Sequence, residues 1–347
     1  MRSLMAGLVV ALLALTGVVQ AQELPVVRVI THDSFAVSDD VLAAFESESG
    51  YQIEIVRVGD AGLMVNQAIL SRDNPLGDLL FGVDNTFLTR ALDNDLFLPY
   101  VSPLRETISA EFLDGVDARV TPIDFGDVCL NYDVGYFATS ELPLPETLSD
   151  LADPAYHGLL VVQNPASSSP GLAFLLATVA AFGEDGYLDY WRALVANDVA
   201  VAEGWTDAYY GQFSGSAGST GTRPLVVSYA SSPAAEVYFA EEPPESAPTG
   251  SIVAAGTCFR QVEYAGVLHG AANPEGAQAL IDFMLGEAFQ ADMPLNMFVY
   301  PVVPEIELPD VFVQYAPMAH EPAEMTPEAI GPLRDDLIEQ WVEVVLR

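Results

Sequence analysis

The chain has 347 residues, of which 49 are acidic and 12 are basic, and every basic residue is an arginine, so the formal net charge is −37. Its length favours two domains, and its hydrophobic content of 51% argues against a disordered chain. DNA or RNA binding is excluded, because phosphate backbones are bound by clustered basic residues. The acidity itself leaves two interpretations open, namely solubility in a salty habitat and attraction of a cationic ligand.

The first 22 residues, MRSLMAGLVVALLALTGVVQAQ, predict a secretory signal peptide. One arginine precedes an apolar run from Leu4 to Val19, and Val19-Gln20-Ala21 is a small-x-small cleavage pattern. A permanent membrane anchor is the minor alternative, since it would need about 20 apolar residues with polar flanks. No cysteine lies near the cleavage site, which argues against a lipid anchor, and no later segment is expected to span a bilayer. The mature protein is therefore expected to be periplasmic or secreted.

From residue 26 onward, short apolar strands alternate with helical segments. The predicted strands are VVRVITHD, YQIEIVRV and LGDLLFGVD, and the predicted helices are SDDVLAAFESESG, GLMVNQAILSRDNP and NTFLTRALDNDLF. Ser38 is expected to cap the first helix and Gly50 to end it, and Pro75 is expected to close the second helix. This alternation with short connections predicts an α/β fold, with a sheet flanked by helices.

Polar residues lie at the carboxyl ends of these three predicted strands. They are His32-Asp33, Gly59-Asp60 and Asp84-Asn85. Because ligands of open α/β sheets lie beyond the carboxyl ends of the strands, the residues predict a binding site there. Each aspartate taken alone is also an ordinary helix cap.

The second half of the chain contains two Ser-Pro helix starts, in QNPASSSPGLAFLL and VVSYASSPA. A serine oxygen is expected to cap each helix, with proline in the first turn, and such helix ends favour anions. Trp205 and Tyr229 lie close by in sequence. Together these features predict a concave wall of hydroxyls, amides and aromatic rings.

No motif in the chain indicates catalysis or a metal centre. The four histidines, at 32, 157, 269 and 320, have no metal-ligand spacing, and no nucleophile motif is present. The prediction is therefore a protein that is not an enzyme and carries no cofactor. Cys129 and Cys258 could pair in an oxidising compartment or remain as two buried thiols, and the exported location favours the bridge.

Several segments resemble, in the same order, the thiamine-binding periplasmic proteins of ABC importers. The segments are ITHDSFAVSDDVLAAFESESG, GDAGLMVNQAILSRDNPLGDLLFGVDNTFL, QNPASSSPGLAFLL, EGWTDAYYGQF, VVSYASSPA, GEAFQADMPLNMFVYPV and EMTPEAIGPLRDDLIEQW. The resemblance implies a two-lobed periplasmic-binding-protein fold of type II, with hinge crossings between the lobes. After the signal peptide at 1–21, it implies a first lobe at 22–124, a second lobe at 125–255 and a return to the first lobe at 256–347.

The resemblance further implies the ligand, thiamine or a thiamine phosphate, and the residues that contact it. The expected contact residues are His32, Asp33, Asp60, Ala61, Asp84, Ser168, Ser169, Trp205, Tyr229, Ala230, Ser231, Ser232 and Phe298. Thiamine joins a flat aminopyrimidine to a cationic thiazolium, so it favours aromatic faces and carboxylates. Asp60 is expected to pair with the amino group or the positive ring, and the two serine-rich helix ends with the hydroxyethyl or phosphate tail. The implied partner is an ABC importer permease, and the protein is expected to be a monomer.

This chain departs from the family at three positions. His32 and Ala234-Ala235 stand where relatives usually offer an aromatic residue, and Phe298 stands where they offer tryptophan. The alternative function is ferric-ion binding by the adjacent pair Tyr209 and Tyr210, since phenolates are hard ligands suited to Fe(III). A polyamine binder would explain the carboxylates but would not need the two serine-rich helix ends.

Overall fold

The computed structural model describes residues 24–242 and 244–347, so the predicted signal peptide at 1–21 lies outside the described residues. Ten strands occur within them: β1 (Val26–Thr31), β2 (Gln52–Arg57), β3 (Leu79–Asp84), β4 (Thr121–Asp133), β5 (Leu160–Gln163), β6 (Ala200–Ala202), β7 (Leu225–Tyr229), β8 (Thr249–Ile252), β9 (Phe259–Val267) and β10 (Tyr300–Pro301).

The helices of the same residues are α1 (Asp39–Ser49), α2 (Ala61–Leu70), α3 (Leu88–Asp93), α4 (Val134–Thr139), α5 (Ser169–Phe182), α6 (Tyr187–Ala196), α7 (Ser232–Tyr238), α8 (Pro274–Met284), α9 (Glu287–Asn296), α10 (Asp310–Tyr315) and α11 (Pro327–Val345). Short 3₁₀ turns lie at Arg105–Thr107, Ala110–Phe112, Leu148–Ala152 and Pro154–Tyr156, and a π-helical turn lies at Asp207–Gln212.

The strands form one continuous sheet in the order β2-β1-β3-β9-β4-β7-β5-β6, with β8 and β10 paired to β4. On one side β1 runs parallel to β2 and β3, and on the other side β5 runs parallel to β6 and β7. The long strand β4 pairs with β9 along its first part and with β7 and β8 along its second part. The predicted α/β fold of a sheet flanked by helices is confirmed, and β4 and β9 join its two halves. The lobe boundaries at 124/125 and 255/256 stay a prediction.

Local sequence signals account for most element ends, with two exceptions. The hydroxyl of Ser38 caps α1 and Gly50 ends it in the left-handed region, at φ 73°, as predicted. However, α2 ends at Leu70 rather than at Pro75, because Ser71 leaves the helical region, at φ −101° and ψ 10°, although its backbone and hydroxyl still bond back to Gln67. The helix predicted after β3 is also shorter than expected and covers Leu88–Asp93 alone.

The two Ser-Pro segments begin helices as predicted, but the predicted serine caps are wrong. Neither Ser168, at the N-cap of α5, nor Ser231, at the N-cap of α7, accepts a hydrogen bond from the first turn through its side chain. The hydroxyl of Ser231 donates instead to the carbonyl of Phe298. The first-turn amides of both helices are therefore not satisfied by these hydroxyls.

One segment has the composition of a membrane-spanning helix, although the sequence analysis predicted no such span there. Residues Ser169–Ala196 are long and apolar enough to cross a bilayer, but 56% of the most apolar window is buried within the protein. The helix breaks at Gly183 into α5 and α6, which pack on each other with Phe174 against Trp191. This is the behaviour of core helices.

Cys129 and Cys258 form a disulfide, so the predicted bridge is confirmed. Cys129 lies in β4 and Cys258 immediately precedes β9, where Val128 and Phe259 are partners in register. Both cysteines are fully buried beside Ala230 and Ala319. The bridge thus ties together the two strands that the halves of the sheet share.

Replacing both cysteines, as Cys129→Ala with Cys258→Ala, should lower the free energy of unfolding. The bridge spans 129 residues of sequence, and closing a long loop stabilises by roughly 2–4 kcal/mol in the chain-entropy model. Urea unfolding of the double variant and the wild type measures the loss, and thiol titration of the denatured, unreduced wild type should find no free thiol. Two free thiols, or equal unfolding midpoints, would contradict the assignment.

Candidate functional site

A cavity of about 290 Å³ lies beyond the carboxyl ends of β1 and β2 and is lined from both halves of the sheet. This volume is near the lower limit of small-molecule pockets, which run from roughly 300 to 1,000 Å³. Its lining residues are His32, Asp33, Ser34, Asp60, Ala61, Ser169, Pro170, Trp205, Thr206, Tyr209, Tyr210, Tyr229, Ser232, Ala235, Phe239, Glu263, Asn296, Met297, Phe298 and Val299. Six of them are aromatic and three are carboxylates, and the described lining contains no arginine.

Nine of the thirteen predicted site residues line this cavity: His32, Asp33, Asp60, Ala61, Ser169, Trp205, Tyr229, Ser232 and Phe298. The other four lie behind its wall. Asp84 and Ser168 are fully buried. Ala230 packs beside the disulfide, and the hydroxyl of Ser231 is bonded to the carbonyl of Phe298. These four side chains would act on a ligand only through residues in front of them.

Asp60 connects the two halves of the sheet across the cavity. Its Oδ1 accepts the amide of Ala61 at 2.7 Å, which caps α2, and its Oδ2 accepts the amide of Trp205 at 2.9 Å. The amide of Gly62 also donates to the carbonyl of Ser167 at 3.0 Å. Both oxygens of Asp60 thus hold backbone groups, whereas no described N–H or O–H group forms an aligned hydrogen bond with the side chain of Asp33 or Glu263.

The aromatic wall is built around Trp205. Its indole N–H donates to Ser228 at 2.8 Å, and its ring stacks on Tyr209 at 5.1 Å with an interplanar angle of 15°. Tyr210 stands nearly perpendicular to Trp205, at 5.5 Å. The π-helical turn at Asp207–Gln212 brings both tyrosines to this wall, and such turns often occur at functional sites. The result is a flat, rigid face on one side of the cavity.

A second aromatic group covers the opposite part of the cavity, and sequence reasoning missed it. Phe239 packs edge-on against Phe298 at 5.4 Å and against Tyr238 at 5.1 Å. Ala235 lines the cavity at the position where an aromatic side chain was expected, and Phe239 lies one helical turn later. The spacing of four residues from Ala235 was the available signal, because residues at i and i+4 share a helix face.

Three carboxylates lie side by side beneath the cavity, on neighbouring strands. In register, Asp84 of β3 faces Glu263 of β9, and Glu263 faces Asp124 of β4. Asp84 and Asp124 are fully buried and Glu263 is 5% exposed. Glu263 lines the cavity and was missed, although a charged residue within the apolar strand FRQVEYAGV was a usable signal.

Burial keeps part of this row protonated. Burial raises the pKa of Asp84 from 3.8 to about 6. The nearby hydroxyl of Ser169 opposes the shift most, followed by the hydroxyl and amide of Thr86, which donate to Oδ1 of Asp84. Burial also raises the pKa of Asp124 well above its ordinary range, and the neighbouring Glu263 adds to the effect. In front of Asp84, the hydroxyl of Ser169 is buried without an aligned hydrogen bond to any described residue and faces the cavity.

Residues 74–319 match a family of proteins described as bacterial extracellular solute-binding proteins. The chain belongs to this family. It is thus an extracytoplasmic solute-binding protein, as the sequence predicted, and its family is not a class of enzymes.

Individual relatives match this solute-binding protein along most of its length, and one solved structure shares its fold. The thiamine-binding periplasmic protein of Salmonella typhimurium is 29% identical over 335 residues, which cover 93% of this chain and 94% of the relative. A solved periplasmic thiamin binding protein superimposes with a TM-score of 0.80 at 27% identity, over 93% of this chain and 97% of its own. Iron uptake protein A1 of Synechocystis is 25% identical over 79% of this chain and 75% of its own.

The variant Asp84→Asn should flatten the pH dependence of stability of this solute-binding protein. Because the folded-state pKa of Asp84, about 6, lies above its ordinary 3.8, the folded state holds the proton more strongly, and stability falls as the pH rises through this interval. Between about pH 5 and 8 the wild type should lose roughly 1.5 kcal/mol that the variant keeps. Urea unfolding at the two pH values measures the difference.

Asparagine suits this test because its oxygen can accept the bonds that Asp84 Oδ1 accepts now. The exposed Asp114, changed to Asn, is the matched control and should behave as the wild type. An Asp84→Asn protein with the wild-type pH dependence would contradict the raised pKa.

Proposed function

We propose that this solute-binding protein captures thiamine or a thiamine phosphate in the cavity, delivers it to an ABC importer permease and catalyses no reaction. The observation that carries the proposal is the lining itself, with six aromatic residues, three carboxylates and no arginine among the described residues. Relatives named as thiamine-binding periplasmic proteins, one of them 29% identical along 93% of the chain, support the same ligand. We further propose that the protein acts as a monomer and binds no nucleic acid.

The chemistry of the cavity favours a flat cation. A cation against an aromatic face gains ~0.5–1 kcal/mol at exposed sites and ~2 kcal/mol or more when desolvated. The face of Trp205, backed by Tyr209, suits one ring of thiamine, and Glu263 offers a carboxylate without a described basic partner other than His32. Because the described lining contains no arginine, no arginine side chain competes with the ligand for the lining carboxylates. A positive ring is therefore attracted, and inorganic anions are disfavoured.

Capture would proceed by closure of two lobes about β4 and β9. The lobe boundaries that the sequence predicted, near 125 and 255, fall within β4 and just before β9. The Asp60–Trp205 bond across the cavity is a contact that such a closure would make. The disulfide at the same two strands would keep their register while the lobes move.

The tail of the ligand, a hydroxyl or a phosphate ester, would lie against the start of α5. Ser169 is buried, faces the cavity and has a hydroxyl with no aligned partner among the described residues. The first-turn amides of α5 receive no side-chain cap. Ser168 lies behind this surface and would contribute through the backbone.

Ferric-ion binding by Tyr209 and Tyr210 is less well supported. Tyr209 is 1% exposed, and burial together with Glu236 raises the pKa of its phenol well above the ordinary value, so the phenolate that iron needs is disfavoured. No group of three His, Cys, Asp or Glu residues that could hold a metal ion occurs within 24–242 and 244–347. Two stacked aromatic rings at the cavity also exceed what a polyamine requires.

Calorimetric titration should show saturable binding of thiamine by the wild type, and Trp205→Ala should weaken thiamine and thiamine monophosphate alike. Loss of a stacking face and a cation–π contact of up to ~2 kcal/mol predicts weakening by roughly tenfold or more. Tyr136→Ala, an aromatic truncation outside the cavity wall, is the control. Absence of saturable thiamine binding, with stoichiometric uptake of Fe(III) and a tyrosinate absorption band, would favour the iron alternative.

The same titrations separate the tail from the ring. In Ser169→Ala the affinity for thiamine monophosphate should fall by roughly tenfold or more, and the affinity for thiamine should fall by less. The reason is that a charge-assisted hydrogen bond contributes about 1.5–3 kcal/mol. Ser168→Ala, which truncates the serine behind the wall, should change both constants less than Ser169→Ala does. If Ser169→Ala lowered the affinity for both ligands equally, the start of α5 would not distinguish the phosphate tail from the hydroxyl tail.

A further inference from the structure

His32 and Glu263 form an ion-pair contact at the floor of the cavity. Nε2 of His32 lies 3.3 Å from Oε1 of Glu263, and the two side chains are 10% and 7% exposed. The contact is not an aligned hydrogen bond, so Nε2 has no hydrogen-bond partner in the described part of the chain. Gly82 makes room for the imidazole, since a Cβ at this position would lie 2.3 Å from Cδ2 of His32.

The charged groups that act on the pKa of His32 are acidic. Asp60 faces it from the start of α2, Asp84 from β3 and Glu263 from β9. Asp33 is its neighbour in the chain and also lines the cavity. Burial alone would lower the pKa of His32, but the charge of Glu263, followed by those of Asp60 and Asp84, raises it above the ordinary value.

The remaining described groups packed on Glu263 carry no positive charge that would neutralise it, so its charge faces the cavity. Asp124, on the opposite side of Glu263, has a raised pKa and is held as the protonated partner of the two. Tyr229 stays neutral, because burial and the nearby carboxylates raise its pKa, and its hydroxyl donates to Gln261 at 3.2 Å. Among the described lining residues, the His32 imidazole is the one side chain that can place a positive charge next to Glu263.

We propose that Glu263 is the carboxylate that receives the positive ring of the ligand, and that protonated His32 occupies Glu263 in the empty cavity and gives up its proton when the cation binds. This inference rests on the proposed function. It adds to that function a residue, Glu263, that selects for a cationic solute, and the release of a proton from His32 when the solute binds.

The sign of the pH dependence follows from the competition. Below the pKa of His32 in the empty protein, binding a cation must displace a proton, so affinity rises with pH by up to about tenfold per pH unit. Above that pKa the imidazole is already neutral and affinity becomes independent of His32. By reciprocity, the bound cation lowers the pKa of His32.

The test counts the protons released when thiamine binds. Thiamine is titrated calorimetrically into the full mature protein, from about pH 5 to 8.5, in pairs of buffers with different ionisation enthalpies. The wild type should release up to one proton more than His32→Asn, and its affinity should fall more steeply towards acid pH. Titration of thiamine itself is common to both proteins, so it cancels when the two proton counts are compared.

Two further variants serve as controls for this interpretation. His157→Asn removes an exposed histidine outside the cavity and should keep the wild-type proton count. Glu263→Gln should weaken thiamine binding and, in the ligand-free protein followed by NMR, should lower the pKa of His32. This second measurement needs no ligand and remains decisive if His32→Asn does not fold.

Equal proton counts in the wild type and His32→Asn would overturn the inference while thiamine binding stands. An unchanged pKa of His32 in Glu263→Gln would overturn it too. If the wild type binds no thiamine at any pH, the proposed function fails, and this inference fails with it.

Discussion

Buried negative charge beneath the cavity is the constraint on which the rest of the site depends. An ionised carboxylate away from water is costly unless a proton, a cation or several hydrogen bonds offset it. Asp84, Glu263 and Asp124 are placed side by side by strand register, so their charges cannot be moved apart. A proton offsets the charge on Asp124, whose pKa is raised well above its ordinary range, and the pKa of Asp84 is raised to about 6, which leaves Glu263 and its neighbour His32 facing the cavity. Under the proposed function, a cationic solute would supply the remaining compensation, and the aromatic wall at Trp205 would give that cation a face to lie against.

The position of the cavity follows from two strands. Because β4 and β9 run through both halves of the sheet, the carboxyl ends of β1 and β2 meet the Trp205 wall across a single gap. The disulfide fixes the two strands where they pass between the halves. Asp60 bonds across the gap, so one side chain both caps α2 and fixes the backbone of Trp205. A binding site between two halves of one sheet is the geometry expected of a solute-binding protein.

The sequence was sufficient for the α/β fold and the two Ser-Pro helix starts, since each depends on local patterns, and residues that it placed at the strand ends line the cavity. It could not locate the row of carboxylates, because Asp124 and Glu263 become neighbours only through pairing of strands more than a hundred residues apart. The predicted serine caps failed for a similar reason, as the hydroxyl of Ser231 bonds to Phe298, far away in the chain. The two-lobed arrangement and the ligand came from the resemblance to thiamine-binding proteins rather than from residue patterns. Asp84 shows the limit most clearly: its position at the end of β3 agrees with the sequence analysis, yet it lies behind Ser169 and not in the cavity wall.

The most direct test of a cavity built for a flat cation is native mass spectrometry of protein purified without denaturation or added ligand, followed by identification of the released solute. The account predicts one equivalent of thiamine or a thiamine phosphate, absent from Trp205→Ala protein prepared in the same way. A stoichiometric anion without a cationic ring, or a metal ion in its place, would contradict it.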